Sequence, residues 1–226
     1  MSGPTGLRER KKHQTREAIA DAAWHLFLDR GFDDVTVAEV AHAADVSEAT
    51  VFNYFPTKED LAYHRMEDFE DALLEAITKR DPGTSVVDAF GSFVLEPRGF
   101  LKADGDVRRG DPLAVTKLFT DSPTLLARER QIYDRYAERL IDLIAEERGA
   151  HPDDLEPLVI ARALISLHRA MIDHVRQRVL AGASTEAIRR EIRSRGRRGF
   201  ALLKEGLDHG LPSAGSATPG HPRVTQ

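Results

Sequence analysis

The sequence predicts an all-α chain with nine helices in two domains. Three observations carry that expectation. Apolar residues recur at three- and four-residue spacing along most of the chain, as the buried stripe of a helix does. Residues that start helices (Thr36, Ser47, Thr57) and stop them (Gly31, Gly149, Gly182) stand at helical intervals. Aromatic residues make up 7% of the composition, too few for an all-β sandwich. At 226 residues the chain can hold one large or two small domains with a substantial core.

Residues 1–14 read as a flexible basic arm, with Arg8, Lys11 and Lys12 available for phosphate or minor-groove contacts. A solvated, frayed terminus is the plainer alternative. The first helix buries Ile19, Ala22, Ala23, Leu26 and Phe27 and ends at Gly31. Two short helices follow. Thr36 caps one carrying Val37, Val40 and Ala41, and Ser47 caps one carrying Val51, Phe52 and Phe55. Helices joined this tightly must cross steeply, with small Ala41 at the crossing, which is the helix-turn-helix geometry. An ordinary pair of short bundle helices has the same spacing.

Pro56 breaks the second short helix, and Thr57 caps a helix expected to continue through Leu61, Met66, Phe69, Leu73 and Ile77 to Arg80. About 24 residues at 1.5 Å each span ~36 Å, enough for a rigid link into a second domain. The expected divisions are 15–61 for the head, 62–210 for the helical body and 211–226 for a disordered tail with little to bury. Within the body, helices are expected over 86–95, 113–119, 123–148, 152–180 and from Ser184 or Thr185 to about Gly210. A Gly/Pro-rich break spans 97–112. The helix over 152–180 carries two apolar stripes, more than one core face needs. Ile165, Ile172 and Val179, with Phe200 and Leu203 from the last helix, are therefore candidates to meet a second copy, complete burial within one chain being the alternative. Glycines at 196, 199 and 206 either permit close helix approach or break the last helix, and its arginine run reads as a solvated or ion-paired face.

Gly31-Phe32, Val35-Thr36-Val37, Val40-Ala41, Val46-Ser47, Thr50-Val51-Phe52, Tyr54-Phe55 and Lys58-Glu59-Asp60-Leu61 together resemble the TetR family of bacterial transcriptional regulators. The resemblance is specific over roughly Thr15 to Leu74, and Asp45 stands where the family's turn usually has glycine. It implies a DNA-binding head and a body that binds a small-molecule effector and pairs two copies. The expected partners are therefore a double-stranded DNA operator, a second copy of the chain and a small-molecule ligand, with no membrane. The family's positions matching Thr36, Ser47, Thr50, Tyr54 and Lys58 commonly contact DNA. The helix geometry adds Glu48, Ala49 and Asn53 as outward residues: asparagine pairs with adenine, a carboxylate accepts from cytosine, and a small apolar group meets a thymine methyl. Candidates to line an effector pocket are Phe90, Phe93, Val94, Phe119, Tyr136, His168 and Met171, each of which also reads as plain core.

The totals limit the other classes. With no cysteine, disulfides and thiol catalysis are excluded. No phosphate-binding glycine loop, serine nucleophile elbow or zinc-binding His pair occurs, so neither enzymatic activity nor a cofactor or metal is expected. No apolar run approaches the ~20 residues of a membrane span, and the N-terminus lacks a secretory apolar core, which points to the cytoplasm. Charge raises one objection. Residues 1–16 carry a net +4, but residues 17–60 carry ten acids against Arg30 and Lys58, a net −8. That acidity keeps alive a helical ligand-binding or protein-interaction module without DNA binding, unless the acids face away from the duplex.

Overall fold

A computed structural model of the chain describes residues 4–64, 67–102, 111–151 and 153–208. Among them are ten α-helices: α1 (Pro4–Arg30), α2 (Val37–Ala43), α3 (Glu48–Tyr54), α4 (Lys58–Tyr63), α5 (Glu67–Thr78), α6 (Val86–Leu95), α7 (Pro112–Thr120), α8 (Pro123–Arg148), α9 (Glu156–Leu180) and α10 (Thr185–Asp208). The all-α expectation holds, with one more helix than the nine expected. The extra one arises because the helix expected over 57–80 is two elements, α4 and α5. Met66 of its expected stripe lies outside the described residues, as do residues 209–226. The basic arm is also corrected: its residues from Pro4 onward belong to α1 and are helical.

Two apolar clusters organise the helices. The head cluster joins Ile19, Ala23, Trp24 and Phe27 of α1 to Val40 and Ala41 of α2, Val51 of α3, Phe55 and Leu61. It also contains Leu118, Phe119 and Leu125, so α7 and the start of α8 are built into the head's core. Phe119 lies 5.2 Å from the Tyr63 ring and 6.4 Å from Trp24. It is therefore not among the body residues with which it was expected to line a pocket.

The body cluster runs from Leu73 and Ile77 through Phe90, Tyr133, Tyr136 and Leu140 to Ile160, Leu164, Ile188 and Phe200. Helix α9 packs against α8, α10, α7 and α6, which buries most of both apolar stripes and leaves Leu167, Ile172 and Val175 half-buried. Ile165, Val179 and Phe200, expected at a dimer interface, are consequently 5%, 7% and 7% exposed within a single chain, while Ile172 and Leu203 are half-buried. The surface of this helix pair instead exposes Leu155, Leu158 and Val159 at the start of α9 and Leu202 near the end of α10. α10 is unbroken, and Gly196 and Gly199 serve close approach, whereas a Cβ on Gly206 would meet nothing within 4 Å. A Cβ on Gly196 would stand 2.5 Å from Leu95 Cδ2, and one on Gly199 would stand 2.7 Å from Leu167 Cδ1. Arg190, Arg193, Arg195, Arg197 and Arg198 are exposed.

Candidate nucleic-acid interface

Each short helix of the head begins on the cap its sequence provides. Thr36 accepts from Glu39 N at 3.2 Å while the Glu39 carboxylate accepts from Thr36 N at 2.8 Å, a reciprocal capping box. Ser47 Oγ accepts from Thr50 N at 3.1 Å and lies 2.8 Å from the Thr50 hydroxyl. Thr57 and Asp60 repeat the box at α4. The turn between α2 and α3 closes by Val46 N donating to Ala41 O at 3.0 Å. Asp45 takes φ 54 there, the one non-glycine residue among those described with positive φ, so aspartate fills the left-handed position usually held by glycine.

These caps fix how α3 is rotated. Val51 and Phe55 are 1% exposed and anchor it to the head core. Glu48, Ala49, Phe52 and Asn53 are exposed together on the opposite side, and Thr50 and Tyr54 flank them half-buried. Phe52 was expected in the buried stripe but is 47% exposed. Val51 already occupies the core-facing position, and the next residue is turned ~100° away. An aromatic ring on the outward face of a seven-residue helix is thus a residue of the candidate interface that the apolar pattern concealed. Its exposure beside Asn53 puts apolar surface where thymine methyls and sugars would lie.

Basic groups extend this face along α1. Arg16 Nη1 donates to Tyr54 O at 3.1 Å, and its guanidinium lies 4.6 Å from the Phe55 ring centroid, so this face of α1 meets the end of α3. Lys12 and Arg8 stand at successive four-residue intervals on that same face and are exposed, as is Lys11. Lys58 is committed inward. Its Nζ donates to Phe32 O at 2.5 Å and lies 4.2 Å from the Phe32 ring, and burial lowers its pKa.

Several acids of the head are paired within the protein. Glu39 pairs with Arg30 at 2.7 Å, and the hydrogen bond from Thr36 N, then that from Arg30, hold its carboxyl at a pKa of about 2. Asp60 pairs with Arg128 of α8 at 2.7 Å, and Asp33 accepts from Ser122 Oγ at 3.2 Å. Asp33 and Asp34, with Lys117 and Asp121, line an open cleft between the head and α7. Asp33, Asp34 and Asp60 thus face the body and Glu39 is paired with Arg30. That directs part of the net charge of −8 over residues 17–60 away from the outward face of α3, where Glu48 is the acid that stands exposed.

The same contacts tie head to body. Tyr63 Oη donates to Leu125 O at 2.9 Å, adding to the Asp60–Arg128 pair at the start of α8. Further along α8, Arg135 and Arg139 hold the buried Glu70 of α5 at 3.0 Å each. Glu129 is held bidentately by Arg176 of α9 at 2.6 and 2.8 Å. One long helix therefore touches α4, α5 and α9. Of the expected pocket residues, Phe90, Tyr136, His168 and Met171 are buried together in the body cluster, with Phe93 and Val94 packed against it. Among the described residues there is no group of three or more His, Asp or Glu side chains placed to hold a metal ion, and no helix long and apolar enough to cross a membrane.

The comparisons agree with this geometry. Residues 19–63 match the profile described as bacterial regulatory proteins, tetR family. The HTH-type transcriptional regulator TcmR of Streptomyces glaucescens is 31% identical over 156 residues, covering 68% of each chain. The A-factor receptor protein of Streptomyces griseus is 26% identical over 68% of this chain and 52% of its own. Among solved structures, NalD of Pseudomonas aeruginosa, titled the secondary repressor of the MexAB-OprM multidrug efflux pump, superposes with a TM-score of 0.52 at 23% identity. It covers 84% of this chain and 97% of that one, and shows the same fold. With the profile on the head and a relative of this identity reaching well into the body, the chain belongs to the TetR family of helix-turn-helix DNA-binding transcriptional regulators.

Proposed function

We propose that the protein acts as a homodimeric repressor in the cytoplasm, holding a palindromic operator until a small molecule in the body domain releases it. The observation that carries this reading is the outward face of α3, where Glu48, Ala49, Phe52 and Asn53 are exposed on a helix anchored by Val51 and Phe55. In the reading pose Asn53 bonds adenine, Glu48 accepts from cytosine and Ala49 and Phe52 meet thymine methyls. Ser47, Thr50, Thr36 and Tyr54 border the phosphates, with Arg8, Lys11 and Lys12 along the adjoining backbone. Two such heads set ~34–36 Å apart, or a multiple of that, read two half-sites. The exposed Leu158, Val159 and Leu202 supply the apolar surface for pairing.

Release needs a path from effector to head, and α8 offers one. Its start carries the contacts to Asp60 and Tyr63, and its middle carries Tyr133 and Tyr136 in the body core. A coupling of ~1–3 kcal/mol through such an element changes operator affinity some 5–150-fold. A gel-shift titration of the full chain on DNA upstream of its own gene tests the reading. Saturable binding to a palindromic fragment, falling steeply with salt, is expected. Equal binding to unrelated fragments would overturn it.

A further inference from the structure

His168 is an anomaly in the body core. It lies on α9 and is 7% exposed, and its Nδ1 has no hydrogen-bond partner among the described residues. Phe69 of α5 stacks nearly parallel on the imidazole, with centroids 5.3 Å apart and planes 11° apart. Phe90 of α6 and Tyr133 of α8 meet it edge-on at 6.4 and 5.8 Å. Burial, then the positive charge of Arg98, lowers its pKa to about 4, so the ring is neutral at physiological pH. A leucine or phenylalanine would fill such a position without stranding a polar atom, and buried polar atoms are ordinarily bonded.

The geometry points to a planar phenol as the effector, its hydroxyl hydrogen-bonded to His168 Nδ1 and its ring lodged among the aromatic side chains of α5, α6 and α8. The inference rests on the reading of the body as an effector domain. Three features select the class. A neutral imidazole has one donor and one acceptor nitrogen, and a hydroxyl complements Nδ1 in either tautomer because it can both donate and accept. The surrounding rings already pair edge-on and offset: Phe93 meets Phe69 at 5.4 Å and Tyr136 lies 6.2 Å from it, a lining suited to another flat ring. The Arg98 guanidinium lies 3.7 Å from the Phe93 ring centroid, donates to Phe93 O and is paired with Glu96 at 3.0 Å on its outer side. It still acts on His168 as a positive charge, which disfavours an ammonium ligand there. The ring contacts join α5, α6, α8 and α9 at one imidazole, and α8 continues to the head.

Calorimetric titration of the full chain with 2-naphthol and 2-methylnaphthalene tests the assignment, since the two have nearly the same shape and only one carries a hydroxyl. Saturable 2-naphthol binding at least tenfold tighter than 2-methylnaphthalene is expected, with His168→Phe removing the preference. Should that variant fail to fold, the native chain labelled with 15N-histidine decides: 2-naphthol shifts the His168 Nδ1 resonance and 2-methylnaphthalene does not. Equal affinities, no binding of either compound, or an Nδ1 resonance unmoved by 2-naphthol (as when a trapped water already occupies it) would overturn the inference. Operator binding is followed in the same preparations. Intact, salt-sensitive operator binding with no response to 2-naphthol sinks the phenol alone, whereas absent operator binding sinks the regulator reading.

Discussion

Head and body solve opposite problems with the same secondary structure. In the head, the core is apolar apart from Ser122, whose hydroxyl donates to Asp33, and Thr116 of α7. Polar groups serve as caps, and polar side chains stand exposed on the outward face of α3. In the body, polarity is kept inside: Glu70 is 5% exposed between Arg135 and Arg139, Arg176 holds Glu129, and His168 keeps a nitrogen unbonded. A surface built to meet a partner outside the fold needs a rigid, satisfied support. An interior built to meet a small molecule tolerates a polar group waiting for one. On the proposed function, the difference between the two cores corresponds to one partner outside the head and another inside the body.

The strongest perturbation of this contrast is a cavity in the head. Phe55→Ala should cost about 3–5 kcal/mol of stability, since Phe55 is 1% exposed. Because Leu118, Phe119 and Leu125 lie in the head cluster, calorimetry should record a single unfolding transition for head and body together. Two separate transitions would break the picture of a head rooted in α7 and α8. Next in size, Ser47→Ala removes the cap on α3 and should cost about 1 kcal/mol in denaturant unfolding, with a larger loss of operator affinity than of stability.

A third test addresses charge and not packing. Replacing Arg8 and Lys12 together with alanine should leave thermal stability unchanged, because both are exposed, and should flatten the salt dependence of operator binding by roughly 0.9 in log–log slope per lost phosphate contact. A further test is pH, which acts in different windows for the two domains. His168 has a folded pKa near 4, below its ordinary 6.5, so the unfolded chain binds more protons between those values. The stability this contributes to the body is present above pH ~6.5 and is lost as pH falls toward 4. Glu39, lowered to about 2 from 4.5, contributes above its ordinary value and loses that contribution only between those two pH values. Denaturant midpoints measured against pH for His168→Phe and Glu39→Gln should each flatten their own window.

The features legible in the sequence were those decided by a few adjacent residues. The caps at Thr36, Ser47 and Thr57 and the stop at Gly31 each follow from local chemistry, and with them the helix-turn-helix unit, while the left-handed turn at Asp45 is implied by the family resemblance. What misled was long-range. Apolar residues keep helical spacing across Leu61, Phe69 and Leu73, with no proline or glycine to mark where α4 gives way to α5. The second stripe of α9 read as surplus because nothing local reveals that neighbouring helices bury Ile165, His168 and Val179 within one chain, with Ile172 of that stripe half-buried. Phe119 lies far along the chain from Trp24, yet packs in the same core. Phe52 follows Val51, and hydrophobicity alone does not distinguish an anchor from an exposed ring.

The account depends most on the outward face of α3, and Asn53 is its most diagnostic side chain, exposed and outside the head's apolar core. Fluorescence anisotropy of wild type and Asn53→Ala should be compared on the operator and on single-base variants of it. The account predicts unchanged stability, an unchanged salt slope and a loss of roughly 1–3 kcal/mol confined to one base pair of each half-site. Full retention of affinity and of base preference by Asn53→Ala would contradict it.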